Sequence, residues 1–222
     1  MSRLIIDIET LGFPFESFDD VQKDYLLKFA GSDEQRKEAI QKLSLYPTTA
    51  QIVAIGLLNP DTNRGEVLFQ SEEPVDTFSE DGHVHFQSGS ERTILEAFWK
   101  DVTKYEQLIT FNGRGFDCPF LLIRSAILQI KPSRNLMPYR YDPAIHCDLL
   151  DQLTYYGAFR KFSLDFYCKS FGIESPKSHG ITGLDIGRLT AEKRFMDIAH
   201  YCLGDLKATA ELYHRWEEYL KF

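Results

Sequence analysis

Arg3-Leu4-Ile5-Ile6-Asp7-Ile8-Glu9-Thr10 carries two carboxylates at the end of an apolar, β-branched run. Leu4, Ile5, Ile6 and Ile8 read as a buried strand. Side chains alternate across a strand, so Asp7 and Glu9 share one face, roughly 6–7 Å apart along it. Two charges held beside a core strand are costly unless compensated, and a divalent cation is the usual compensation for such a pair. The run is therefore half of a metal site, and the other half has to come from elsewhere in the chain.

Pattern and punctuation set the element order around this strand. Residues 51–58 (Gln-Ile-Val-Ala-Ile-Gly-Leu-Leu) read as a second strand, residues 59–65 are dense in turn formers, and residues 66–69 read as the returning strand of a hairpin. Residues 13–46 are polar, with a helix expected within 32–45, and residues 71–89 read as polar and irregular. Ser88 and Glu91 form a capping-box pattern ahead of an amphipathic helix at 93–99. There follow a strand at 107–111, a glycine-bearing turn at 112–115 and an apolar helix at 117–130. A short strand at 145–150, a helix at 163–171 closed by Gly172 and a loop at 180–189 come next, and Thr190 is positioned to cap a final helix. This order predicts an α/β fold, a mixed sheet of three antiparallel strands beside a parallel pair, flanked by helices. With no repeat or linker, residues 1–222 are expected to form one domain with insertions near 13–46 and 71–89.

The composition, 43% hydrophobic and 26% charged, is that of a globular protein long enough for a large core. The net charge of −8 argues against a histone-like or polybasic nucleic-acid binder. A metal-dependent nuclease is not excluded, because it needs acids at its centre and can hold a short strand through a few basic and aromatic contacts. Cys118, Cys147, Cys168 and Cys202 are scattered, which gives no support to a zinc cluster, a redox motif or a disulfide framework. The chain enters a strand without a leader pattern, and no stretch approaches membrane-spanning length. A reduced, cytoplasmic protein with no membrane partner is the expectation.

Three further segments place carboxylates at telling positions. Thr110-Phe111-Asn112-Gly113-Arg114-Gly115-Phe116-Asp117 ends a strand and begins a helix, and in open α/β sheets such strand ends line the ligand crevice. Tyr201 and Asp205 are four apart on the last helix, so they share a face. The buried stripe of that helix runs instead through Ile198, Leu206, Ala210, Tyr213 and Leu220. Asp148, on a later strand, reads as structural support. Each acid also has a plain reading: Asp7 and Glu9 as solvated edge-strand charges, Asp117 as a helix N-cap, Asp205 as a helix-surface residue.

Taken together, Asp7-x-Glu9, Asn112-x-x-x-Phe116-Asp117 and Tyr201-x-x-x-Asp205 resemble, in order and spacing, the three exonuclease motifs of the DEDD superfamily. The tyrosine form of the third motif is most similar to the proofreading exonuclease domain of family B DNA polymerases and its stand-alone bacterial relatives. The resemblance implies a ribonuclease H-like fold. It also implies two divalent cations, Mg²⁺ or Mn²⁺, one held by Asp7, Glu9 and Asp205 and a second by Asp7 and Asp117. Tyr201 is then expected to orient the attacking water, since a tyrosine with a pKa of about 10 is a poor general base. His200 stands five residues before Asp205, the spacing of the histidine branch. On a regular helix, however, a four-residue neighbour lies about 40° from Asp205 and a five-residue neighbour about 140°.

The family receives the terminal nucleotide just after its first motif, which implies substrate contacts for Thr10 and Leu11, with Leu11 as a wedge against a base. Asn112 and Phe116 stand where the second motif touches sugar and base. Arg160, Lys161, Lys169 and Lys177 are candidates for phosphate contact, and Tyr155, Tyr156 and Phe159 for base stacking. The expected activity is 3′→5′ hydrolysis of single-stranded ends to nucleoside 5′-monophosphates, with DNA as the first substrate and RNA also open. The alternatives are a catalytically silent single-stranded nucleic-acid-binding module and an RNA-processing exoribonuclease of the same fold. An endonuclease of this fold is disfavoured by the Tyr201–Asp205 pair. A proofreading role would require a separate polymerase or repair partner, and the sequence carries no signal for oligomeric state.

Overall fold

The apolar side chains of the opening run are all buried, and they divide between two layers. In the computed structural model, which describes residues 2–175 and 182–221, β1 (Arg3–Gly12) lies inside a seven-stranded sheet. The other strands are β2 (Ala50–Asn59), β3 (Arg64–Phe69), β4 (Asp76–Phe78), β5 (Val84–Ser88), β6 (Gln107–Thr110) and β7 (His146–Asp148), in the spatial order β4-β5-β3-β2-β1-β6-β7. The helices are α1 (Asp20–Leu26), α2 (Asp33–Gln41), α3 (Glu91–Asp101), α4 (Asp117–Ile127), α5 (Leu149–Leu153), α6 (Leu164–Phe171), α7 (Ile186–Ala191) and α8 (Phe195–Tyr219).

β1, β2 and β3 are antiparallel, and β6 and β7 run parallel to β1, as the pattern predicts. The sheet is nevertheless wider than expected, because residues 71–89 supply β4 and β5. Val84 and Phe86 alternate inward, both buried, and β5 pairs parallel with β3 while β4 covers it from outside. The intervening His85 and Gln87 made that alternation read as merely polar.

Leu4, Ile6 and Ile8 of β1 face a layer containing α3 and α4, where they pack with Leu95, Phe98 and Leu121. Ile5 faces the opposite layer, built on Ile198, Leu206 and Tyr213 of α8. By alternation Asp7 and Glu9 continue the Ile5 face and look toward α8. Gly56, opposite Asp7 on β2, lets α8 come close: a Cβ there would lie 2.5 Å from Leu206 Cδ1 and 2.8 Å from Cys202 Sγ.

Several boundaries differ from expectation for local reasons. Segment 13–46 holds two helices, α1 capped by the Asp19/Gln22 box and α2 capped by Ser32. Ser90, not Ser88, caps α3 by accepting from Thr93 N–H, while Ser88 Oγ accepts from Val75 N–H at 2.7 Å. The helix starting at Asp117 stops at Ile127, and Gln129 follows with φ 56°. β7 gives way to α5 at Asp148, whose side chain caps it. Gly183 to Ala191 is largely helical; Thr190 lies within α7, bonding back to Ile186 O, and α8 begins after Arg194 with no side-chain cap. Among the described residues no helix is long and apolar enough to cross a membrane.

Glu91 belongs to the core, not to a cap. Its carboxylate accepts from Arg124 Nε at 2.8 Å and Nη2 at 2.6 Å and from Ile52 N–H at 2.9 Å, with the two side chains only 10% and 6% exposed. Removing one partner leaves the other as an uncompensated buried charge. Glu91→Ala is therefore expected to lower unfolding free energy by about 3–5 kcal/mol in a denaturant titration, and more than the Glu91→Ala/Arg124→Met pair.

His146 is a second buried polar anchor. Its Nδ1 donates to Leu136 O at 3.1 Å, so its Nε2 accepts from Thr110 Oγ1 at 2.9 Å, and the ring is neutral. Burial, reinforced by the positive charge of Arg114, lowers its pKa from 6.5 to about 4. The unfolded chain then takes up a proton that the folded chain refuses. This contribution to stability is complete above pH 6.5 and is lost as pH falls toward 4, by roughly 3 kcal/mol at pH 4. NMR at pH 5 should show a neutral His146 ring, and His146→Asn should flatten the loss of stability between pH 6.5 and 4.

Candidate active site

Asp7 and Glu9 sit at the end of β1 that extends beyond β6. The last β1–β6 pair is Ile5–Ile109, so further along that edge the N–H of Ile8 has no strand to meet. Asp117 takes it: Oδ1 accepts from Ile8 N–H at 3.0 Å. This single bond connects the first and second acidic segments across 109 residues. Asp117 occupies the first turn of α4, where the helix dipole favours a carboxylate, while Phe116 is the N-cap residue. After Glu9 the ladder with β2 shifts register by a bulge, which turns the chain away toward Thr10.

The turn before Asp117 is built by Asp148. Its Oδ1 accepts from Asn112 N–H (2.9 Å) and Leu150 N–H (3.0 Å), and its Oδ2 accepts from Arg114 N–H (2.9 Å). With its oxygens occupied in this way, Asp148 is the structural support that the sequence suggests. Asn112 is left-handed (φ 62°), and Gly113 is required where a Cβ would lie 2.4 Å from the Thr110 side chain.

α8 brings the third segment to Asp7 and Glu9. Burial raises the Asp7 carboxyl well above its ordinary range, and the charges of Asp205, Asp117 and Glu9 raise it further. Glu9 is raised by burial, Asp205 and Asp117. Asp117 moves to about 7, mainly through burial, with hydrogen bonds from its own and Ile8's N–H opposing the rise. The Tyr201 phenol is driven up by burial and then by Asp205, Glu9 and Asp7, with a hydrogen bond to Asp205 among the causes. His200 points elsewhere: it is exposed and meets the Phe86 ring edge-on at 5.0 Å. On α8, Tyr201 therefore faces the acids and His200 does not.

One neighbour escaped the sequence reading. Cys202 Sγ lies 3.8 Å from both the carbonyl oxygen and Oδ2 of Asp7. The cysteines carry no spacing signal, and only the position of Cys202 between Tyr201 and Asp205 hints at proximity. Burial followed by the carboxylate charges pushes its thiol well up, so it stays protonated and acts as a weak donor to Asp7. Ligand atoms of Asp7, Glu9 and Cys202 lie within 4.8 Å of one another. A cluster of mutually repelling oxygen acids, with a protonated thiol in place of a thiolate, suits a hard divalent cation and not a soft one.

The substrate-contact candidates divide. Thr10 Oγ1 donates to Ser44 O at 2.7 Å, which engages its hydroxyl proton in holding segment 13–46. Leu11 packs at the edge of the α8 layer and, with Thr10, Pro14, Ser44 and Gly187, lines a pocket of about 260 Å³. Phe116 is half-buried against Phe120, centroids 5.4 Å apart. Asn112 and Lys161 line a separate pocket of about 260 Å³ beyond the turn. Lys169 is paired with Asp165, and Lys177 lies outside the described residues.

Residues 48–220 match the family model described as "Predicted 3'-5' exonuclease related to the exonuclease domain of PolB". The chain belongs to this family. DNA polymerase 1 of Sulfolobus acidocaldarius is 22% identical over 170 residues, covering 72% of this chain and 19% of the polymerase. The family B DNA polymerase of the hyperthermophilic archaeon Pyrobaculum calidifontis superposes with a TM-score of 0.62 at 17% identity, over 97% of this chain and 24% of the polymerase. The chain thus spans about a quarter or less of these relatives. At that identity the superposition shows the shared fold, consistent with the ribonuclease H-like expectation. The family match contains Asp117, Tyr201 and Asp205 but begins after Asp7 and Glu9. Those two are tied to it by β1's place between β2 and β6 and by the Ile8–Asp117 bond.

The cluster is a compromise of stability, since repulsion acts on it whenever no cation compensates it. In chelator at neutral pH, Asp7→Asn is expected to raise unfolding free energy by about 1–2 kcal/mol. Mg²⁺ or Mn²⁺ should raise the melting temperature of the unmodified protein and leave Asp7→Asn nearly unmoved, as read by differential scanning fluorimetry.

Proposed function

We propose that the protein is a metal-dependent 3′→5′ exonuclease of the tyrosine branch, acting on single-stranded ends and releasing nucleoside 5′-monophosphates. The observation that carries the reading is the convergence of Asp7, Glu9, Asp117 and Asp205 with Tyr201, from β1, α4 and α8, at one end of the sheet. Asp7, Glu9 and Asp205 would hold one divalent cation, and Asp7 and Asp117 a second. Bound there, Mg²⁺ or Mn²⁺ would supply Lewis-acid activation of water and of the phosphodiester and stabilise the leaving 3′ oxygen.

The chain's own residues have separate tasks. Asp117 keeps its place through Ile8 N–H while presenting its remaining oxygen capacity to the cleft. Tyr201, with its proton held firmly, is unsuited to base catalysis; it orients a water or a phosphate oxygen by hydrogen bonding. Its position toward Asp205, with His200 turned outward, supports the tyrosine branch. Leu11, two residues after Glu9, and Asn112, in the turn that leads into Asp117, are the candidates to receive the terminal nucleotide. DNA is the first substrate on the likeness to DNA polymerases.

The direct test offers 5′-labelled single-stranded DNA and RNA with Mg²⁺ or Mn²⁺, then with chelator. A ladder shortening from the 3′ end is expected, abolished by chelator and by Asp7→Ala. Tyr201→Phe should lose most activity, roughly 10²-fold or more, and His200→Ala little. A ladder that persists in Asp7→Ala would overturn the reading.

A further inference from the structure

We propose that the aromatic and basic surface beside the 112–115 turn, carried by residues 139–141 and 155–161, is a docking platform for the single strand upstream of its 3′ end. The proposal rests on the exonuclease reading for where that end lies.

The first observation is exposure. Tyr139, Tyr141, Tyr155 and Phe159 are 72%, 57%, 58% and 65% exposed. They are not scattered: Tyr139 and Tyr141 have centroids 5.6 Å apart, Tyr141 and Tyr156 4.6 Å, and Tyr155 and Phe159 6.0 Å. Contiguous exposed rings of this kind mark a surface that something covers.

The second is backbone strain. Tyr155 and Tyr156 are consecutive left-handed residues, with φ 49° and 59°. Bulky side chains avoid this region, which Gly and Asn enter readily. The conformation is pinned by Tyr156 N–H to Asp151 O (2.7 Å), Phe159 N–H to Thr154 O (3.1 Å) and Gln152 Nε2 to Tyr156 Oη (2.9 Å). Two large rings are thus kept at positions where smaller residues would relieve the strain, a pattern that goes with function.

The third is charge. The chain is acidic overall, yet Arg114, Arg140 and Lys161 line the pocket that Asn112 shares, and Arg160 lies nearby over Phe162 at 5.1 Å. The local acids are engaged. Asp148 holds three backbone N–H groups, Asp151 pairs with Arg140 at 2.8 and 2.5 Å, and Asp142 accepts from Ala144 N–H at 3.1 Å. Arg114 Nη1 and Nη2 donate to Pro138 O and Tyr139 O, which ties the Asn112 turn to the platform. Its Nε is buried with no hydrogen-bond partner among the described residues.

Ring faces interleaved with basic heads are what an unpaired polynucleotide needs, since every base stacks and every linkage carries a charge. The surface is continuous with Asn112, so the strand would run from the carboxylate cluster past the turn and onto the rings. Affinity should then grow with strand length beyond the nucleotides in the cleft.

Fluorescence anisotropy in chelator with labelled oligothymidylates of four and twenty nucleotides, and oligouridylate of twenty, tests this without turnover. The twenty-mer should bind at least about tenfold tighter than the four-mer, and Tyr141→Ala/Tyr155→Ala should remove most of that advantage. Tyr155→Asn/Tyr156→Asn suits the left-handed backbone and should raise the melting temperature while still losing the advantage. A merely structural role predicts the reverse, with the melting temperature falling and binding intact, and that result would sink the platform. Wild-type protein binding both lengths equally would sink it too. Comparing the two twenty-mers shows whether the platform takes DNA, RNA or both. Length-dependent binding without any cleavage defeats the exonuclease reading alone; a 3′ ladder with length-independent binding defeats the platform alone.

Discussion

Four carboxylates brought to one end of a sheet repel one another, and much of the architecture serves to hold them there. Burial and mutual charge raise Asp7, Glu9 and Asp117 together. Nothing local to β1 would favour that arrangement. It persists because each acid is fixed by packing that pays no attention to charge: Asp7 and Glu9 by a strand buried on both faces, Asp117 by the start of an apolar helix, Asp205 by the longest helix of the fold. Stability is given up at the site and recovered in the two core layers.

Behind the acids lies a second set of polar groups that is fully engaged and carries no exposed chemistry. Asp148 holds the turn that leads into Asp117, and His146 joins β6 and β7 beneath it through Thr110. Glu91 and Arg124 perform a similar task on the opposite layer, linking α3, α4 and β2. Each of these is a buried polar group whose partners are satisfied within the fold, which favours one arrangement over its neighbours.

The parts of this molecule that were readable in sequence are those with a short-range signature. The β1 run, the β2–β3 hairpin and α8 announce themselves by period, Asp7, Glu9 and Asp117 by their places on the first strand and at a helix start, and Asp205 by its four-residue spacing from Tyr201. Helix geometry sets Tyr201 on the Asp205 side of α8 and His200 away from it. What escaped depends on tertiary context. β5 is stable because β3 accepts it in parallel, a pairing without local trace, and Glu91 looked like a capping residue until Arg124 came to meet it. Cys202 became Asp7's neighbour only through Gly56, which lets α8 sit close to the sheet.

The bond from Ile8 to Asp117 also has a consequence in time. Side chains alternate along β1, so a slip of one residue would turn both acids to the α3–α4 layer and strip Asp117 of its donor. The site is thus assembled from contacts between segments far apart in sequence, with α8 synthesised after β1 and α4. A chain still on the ribosome owns the first two acidic segments well before the third. On the two-cation reading, a nascent chain that has not yet docked α8 holds Asp7, Glu9 and Asp117 without Asp205, so the carboxylate set is incomplete until that helix packs.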